Sequence, residues 1–162
     1  MKLKYITWLP VVFLMVTIFL FSSKPAELSE ESSLSISQTV LQLYENVANV
    51  NLNAADWVQT LSDVDHIVRK TAHFMEYAAL AAAIALHFTC WGVEPRKRFW
   101  LSALITSVYA MTDEYHQTFV SGRSGQVSDV LLDTCGGIAG ALFFLLLLSA
   151  LKQIKERRRQ RG

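Results

Sequence analysis

Apolar residues fall into four blocks along the chain, over residues 5–21, 71–93, 99–120 and 130–151. Each approaches the roughly 20 helical residues that cross a bilayer. The first block is short, contains Pro10 and follows Lys2 and Lys4, a start that a cleaved signal peptide shares. The residues after it, Ser22-Ser23-Lys24-Pro25-Ala26, lack a small-x-small cleavage site, so the pattern predicts a retained anchor. The second block is rich in alanine and carries one acid, Glu76. The third turns polar at Asp113-Glu114-Tyr115-His116-Gln117, and the fourth is interrupted by Asp133. The pattern predicts an all-α membrane protein with four transmembrane helices.

Between the first two blocks lies a polar stretch with Ile36, Val40, Leu43, Val47 and Val50 at helical spacing. Such a stripe packs on protein or lies among lipid headgroups, so an amphipathic helical segment is expected here. Ser62-Asp63-Val64-Asp65 reads as a capping box opening the second span. The predicted division is an anchor over 1–22, an extracytoplasmic amphipathic segment over 23–65, a three-helix core over 66–151 and a basic tail over 152–162.

Charge sets the direction. With both termini inside, the cytoplasm receives eleven basic residues, among them Lys2, Arg96, Lys97, Arg98 and the cluster after Leu151. The outside receives four: Lys24, Arg69, Lys70 and Arg123. The asymmetry predicts cytoplasmic termini, and it places Trp8, Trp91 and Trp100 at the inner interface that indoles prefer. The protein is then a multi-pass protein of the cell membrane, with the lipid bilayer as its first partner. The basic tail reads as a topogenic or anionic-lipid signal, not a nucleic-acid patch. With 162 residues and 52% hydrophobic content, the chain has room for one small polytopic unit. Two cysteines, Cys90 and Cys135, sit at different depths and exclude a disulfide framework.

The polar interruptions converge. At about 1.5 Å of rise per residue, Glu76 lies roughly 9 Å below Lys70, Asp113 lies roughly 21 Å from the inner surface, and Asp133 lies roughly 6 Å below Asp129. Three helices thus place acids in one outer layer. Lys70, His73, Glu76 or Tyr77, and Leu80 share one helix side, as do Asp113 with Gln117 and Asp129 with Asp133. Charged groups inside a span face the bundle interior and either hold helices together or form a site. Five carboxylates in this layer exceed what simple neutralisation needs. Gly136 and Gly140 form a G-x-x-x-G, read here as close packing within one chain rather than dimerisation. The loop Ser121-Gly122-Arg123-Ser124-Gly125 presents a guanidinium that suits a phosphate or carboxylate, or pairs with Asp129. His66, His73 and His116 lack a compact ligand spacing, so no metal and no cofactor is expected.

Two blocks carry a family resemblance. Lys70-Thr71-Ala72-His73-Phe74-Met75-Glu76-Tyr77-Ala78-Ala79-Leu80 resembles the first signature of the VanZ-like membrane proteins. Thr112-Asp113-Glu114-Tyr115-His116-Gln117, Gly122-Arg123, Ser128-Asp129-Val130-Leu131-Leu132 and the stretch from Gly136 to Gly140 resemble the second. Position 133 is Asp where the family commonly has Asn. The resemblance implies a four-helix bacterial membrane protein whose namesake is linked to low-level resistance to teicoplanin-type glycopeptides. It implies no established reaction, and a broader role in the envelope.

Two functions follow. In the first, an outward polar pocket binds an anionic or glycosylated envelope ligand, such as a lipid-linked cell-wall precursor or a glycopeptide. Lys70, His73, His116 and Arg123 would contact the anion, with Glu76, Tyr77, Asp113, Glu114, Gln117, Asp129 and Asp133 completing the pocket. In the second, a membrane enzyme acts on a lipid-linked substrate, with His73 or His116 as acid, base or nucleophile and Asp113 or Glu114 assisting. Paired-carboxylate hydrolysis by Asp113 and Glu114 is disfavoured, because adjacent helical residues diverge by about 100°. A proton-coupled transporter ranks third, for want of an inverted repeat.

Overall fold

The computed structural model describes residues 3–161, so Lys2 of the predicted anchor and Gly162 of the tail lie outside the described residues. Every regular element in it is helical: α1 (Leu3–Ile6), α2 (Trp8–Ser22), α3 (Ala26–Ala48), α4 (Ala54–Cys90), α5 (Pro95–Gln117) and α6 (Val127–Arg161). Only Thr7 separates α1 from α2. Among the described residues two helices are long and apolar enough to cross a membrane by length and composition, Lys4–Ser22 and Val127–Gln160.

Local chemistry explains the boundaries. α3 stops at Asn49, which takes a left-handed φ of 55° that asparagine tolerates. α4 begins at Asn53, whose side-chain oxygen accepts the N–H groups of Ala55 at 3.1 Å and Asp56 at 3.0 Å. This corrects the expected capping box: Ser62 and Asp65 sit mid-helix, and α4 extends a full two turns further toward the N-terminus. Asp65 is instead buried, accepting the Ser37 hydroxyl at 2.7 Å and the Arg69 guanidinium at 3.2 Å, which docks α3 onto α4. Gly92, with φ of 75°, turns the chain, and Pro95 opens α5 at the position where its missing N–H does no harm.

α4 is the central helix, touching α2, α3, α5 and α6. Its middle is a run of alanines, and α6 meets it through glycines. A Cβ on Gly136 would collide with the carbonyl of Phe74, and one on Gly140 with that of Ala78. The G-x-x-x-G therefore lies against α4 of its own chain, with the 136/140 spacing matching 74/78. This closeness supplies dispersion contacts along the whole seam between the two backbones. On the other side of α4, Val11 and Ile18 of α2 pack with Tyr77, Leu80, Ile84 and Ala110. Tyr109 donates to the Met15 carbonyl at 2.6 Å. The N-terminal helix is thus built into the core rather than standing apart from it.

The apolar stripe of α3 faces outward. Ile36, Val40, Leu43 and Val47 are exposed, and α3 meets α4 through Ser37 and Leu41. At the end of the bundle nearest the tail-side turn, Tyr5 packs edge-on to Trp91, and Trp8 stacks 4.1 Å from His87.

Candidate functional site

The predicted layer assembles at the end of the bundle capped by the 121–126 loop. Two turns of α4 supply Lys70, His73, Glu76 and Tyr77. The last turns of α5 supply Asp113, Glu114 and Gln117, and the first turns of α6 supply Asp129 and Asp133. Three openings meet here. A cavity of about 30 Å³ is walled by Lys70, His73, Glu114, Gln117, Asp129, Leu132 and Asp133. An outer cleft of about 250 Å³ includes Arg69, Lys70, His73, Gln117, Arg123 and Asp129. A side groove of about 300 Å³ runs under α3 past Lys24, Arg69, His73, Glu76 and Arg123. His73 alone lines all three.

The polar groups divide the work. Lys70 forms an ion pair with Asp129 between cavity and cleft. Asp113 accepts the Tyr77 hydroxyl at 3.0 Å and the Gln117 amide at 3.4 Å. Glu114 points elsewhere, accepting the Gln126 backbone N–H at 2.7 Å and so fastening the loop to α5. The two adjacent acids thus have separate tasks, as their divergence on the helix requires. Gly125 makes that closure possible, since a Cβ there would lie 2.6 Å from the Thr118 methyl. Arg123 folds back over the layer, donating to the Lys24 carbonyl at 2.9 Å, to Gln117 Oε1 at 3.2 Å and to the Phe21 carbonyl at 3.4 Å. Burial holds its guanidinium below the ordinary value, with Asp113 and Glu114 opposing the shift and Arg69 adding to it.

Several buried polar atoms have no protein partner: His73 Nδ1, Asp113 Oδ1 and Asp133 Oδ1. Asp133 is 2% exposed and forms part of the cavity wall. A 30 Å³ space holds about two waters by the usual measure, enough to serve His73 and Asp133, which wall it, whereas Asp113 and Tyr77 line none of the three openings. A family model described as VanZ/LLP1 matches residues 7–148. The chain belongs to the VanZ/LLP1 family. No curated protein and no solved structure matches it.

Within this VanZ/LLP1 chain, both quoted blocks fall inside the matched region, and their residues supply most of the cavity wall. Lys70 pairs with Asp129 of α6. Two expected contacts are corrected. Arg123 holds carbonyl and amide oxygens rather than Asp129. His116 lies against Phe19 of α2, ring centroids 4.6 Å apart, and is absent from the walls of all three openings. Its place on α5 explains why: one residue before Gln117, it is rotated off the face that meets α4 and α6. Glu76 likewise faces the side groove, 4.0 Å from His73 Nδ1, while Tyr77 takes the inward position. Lys24 and Arg69 join the layer although neither falls on the predicted polar faces. For Arg69 a signal was present, the acid four residues earlier at Asp65.

Proposed function

We propose that this VanZ/LLP1 protein is a multi-pass membrane protein with both termini in the cytoplasm and its polar layer facing outward. There it binds an anionic or glycosylated ligand of the bacterial envelope. In this reading α2, the later part of α4, α5 and α6 are the four spans, α3 is the extracytoplasmic segment, and the end of α6 is the basic tail. The eleven-to-four distribution of basic residues supports that direction. The observation that carries the ligand reading is the junction at His73, where a cleft lined by Arg69, Lys70 and Arg123, with Glu30 and Asp129 as counter-charges, meets a small acid-walled cavity. Arg69, Lys70 and Arg123 would draw the anion in, and Asp129, Glu114 and Asp133 would orient them and hold bound water. The role would be accessory to glycopeptide resistance of the teicoplanin type, or to envelope homeostasis.

A second reading makes the site an enzyme acting on a lipid-linked cell-wall substrate. What favours it is specific to His73, which is reachable from groove and cleft alike and stands near Glu76. His73→Gln separates the two, since an acid–base residue loses turnover while a binding residue loses affinity.

The test of the binding reading is a pair of variants assayed in cells for resistance or envelope integrity. Arg123→Ala and Asp113→Asn are each expected to abolish the phenotype with membrane abundance nearly unchanged. Full phenotype at equal abundance in both would overturn the assignment.

A further inference from the structure

The side groove differs from the cleft in having one apolar wall. Phe21, Ile36 and Val68 line it together with Lys24, Arg69 and Arg123. Its volume, about 300 Å³, is at the lower end of what small-molecule sites enclose. The cations are unequally satisfied. Arg69 is shared between Glu30 and Asp65. Among the described residues, Lys24 and Arg123 have no carboxylate partner. Lys24 Nζ stands 5.2 Å from the Phe21 ring, and Arg123 donates only to carbonyl and amide oxygens. A half-buried guanidinium that keeps its whole charge is costly unless an anion comes to it. The hydroxyls of Ser32 and Ser33 are spent on carbonyls of their own helix, so the charged donors to an anion are the cations, with Ser29 beside them and Glu76 the acid in the lining.

The surroundings give the anion's chemistry. The groove is roofed by α3, on which Ile36 turns toward the groove while Val40, Leu43 and Val47 stay exposed, the pattern of a helix lying at a headgroup boundary. It is floored by the end of α2, a helix apolar enough to cross the membrane. A soluble phosphate would use the cations and leave the apolar wall bare; a lipid uses both.

We propose that the groove seats one anionic phospholipid, its phosphate against Lys24, Arg69 and Arg123 and an acyl chain along Phe21, Ile36 and Val68. The site rests on the outward placement argued above, which makes this an outer-leaflet lipid. Its headgroup then lies beside His73, at the junction with the polar cleft.

Native mass spectrometry of the full chain in detergent, titrated with phosphatidylglycerol, tests it. One saturable phosphatidylglycerol is expected, favoured over phosphatidylcholine by at least about fivefold, because each basic side chain near an anionic headgroup is worth about a factor of five. Lys24→Gln is expected to weaken it about fivefold. That variant removes no ion pair or hydrogen bond of the fold, whereas Arg69→Gln, which also cuts the α3–α4 link, serves only as the additive second step. Equal binding of the two lipids would overturn the proposal. So would an equal loss in Lys152→Gln on the tail, or displacement of the lipid by glycerol 3-phosphate at the same concentration. The Asp113→Asn phenotype tests the binding reading without touching the groove, so the two can fail separately.

Discussion

On α6, Asp129 and Asp133 face α4 through side chains and a small cavity, whereas Gly136 and Gly140, one to two turns further on, bring the two backbones together. The glycine half has no room for a methyl group and carries no polar side chain of its own, although Thr106 of α5, whose buried hydroxyl has no partner, packs on Gly137. The acid half leaves Asp133 Oδ1 and, across from it, His73 Nδ1 unpaired. Close packing in one half fixes the register of the other. The carboxylates stay in place because the seam beneath them cannot slide, so stability and chemistry occupy successive turns of one helix. Buried hydroxyls elsewhere, those of Ser22, Ser102 and Thr106, also lack partners, but among the described residues only here do an unpaired carboxylate oxygen and an unpaired imidazole nitrogen line one cavity, which is the pattern of a site.

The largest effect that breaks this division is at the seam. Gly140→Leu must push α6 away from the Ala78 carbonyl, which cannot move without moving α4. A loss of about 3 kcal/mol or failure to fold is expected, read by thermal melting in detergent. Wild-type melting would mean that the seam does not hold the bundle. Next comes the ion pair above it. Lys70→Met strands Asp129, and because both side chains are about a third exposed the cost is expected at only about 1–2 kcal/mol. Adding Asp129→Asn should recover part of it in a double-mutant cycle. Strict additivity would place Lys70 among headgroups instead. The smallest change in stability is expected at Asp133→Asn, which replaces an acid with an unpaired oxygen by a neutral amide. Melting should move by less than about 1 kcal/mol, while the envelope phenotype falls if the acid serves the cavity. A large melting shift with intact phenotype would make Asp133 part of the scaffold.

Much of this arrangement was legible beforehand. Helical rise alone brought Glu76, Asp113 and Asp133 to one level, because depth in a bundle depends on sequence distance and little else. The G-x-x-x-G spacing likewise pointed to a close contact. Azimuth was harder to read. Glu76 and Tyr77 both fit the inward face within the resolution of the helical wheel, and only packing against Asp113 selected the tyrosine. His116 turned toward Phe19 for the same reason. Partners across helices were also hidden, since Lys70 had several acids at its own depth and the choice of Asp129 depends on how α6 is rotated. The start of α4 was misplaced because Ser62-Asp63-Val64-Asp65 is a good cap in isolation, but Asn53 caps earlier and Asp65 is needed by Ser37 and Arg69.

Cysteine accessibility tests most directly whether the polar layer opens to the outside of the cell. Cys90 and Cys135 are free and are first replaced by alanine. Ser124→Cys, in the loop above the layer, and Gln160→Cys, near the end of α6, are then exposed to an impermeant maleimide in intact cells. Labelling at 124 and none at 160 until the cells are opened is the predicted result. Labelling at 160 with protection at 124 would contradict it, turning the cleft, the groove and the His73 junction toward the cytoplasm.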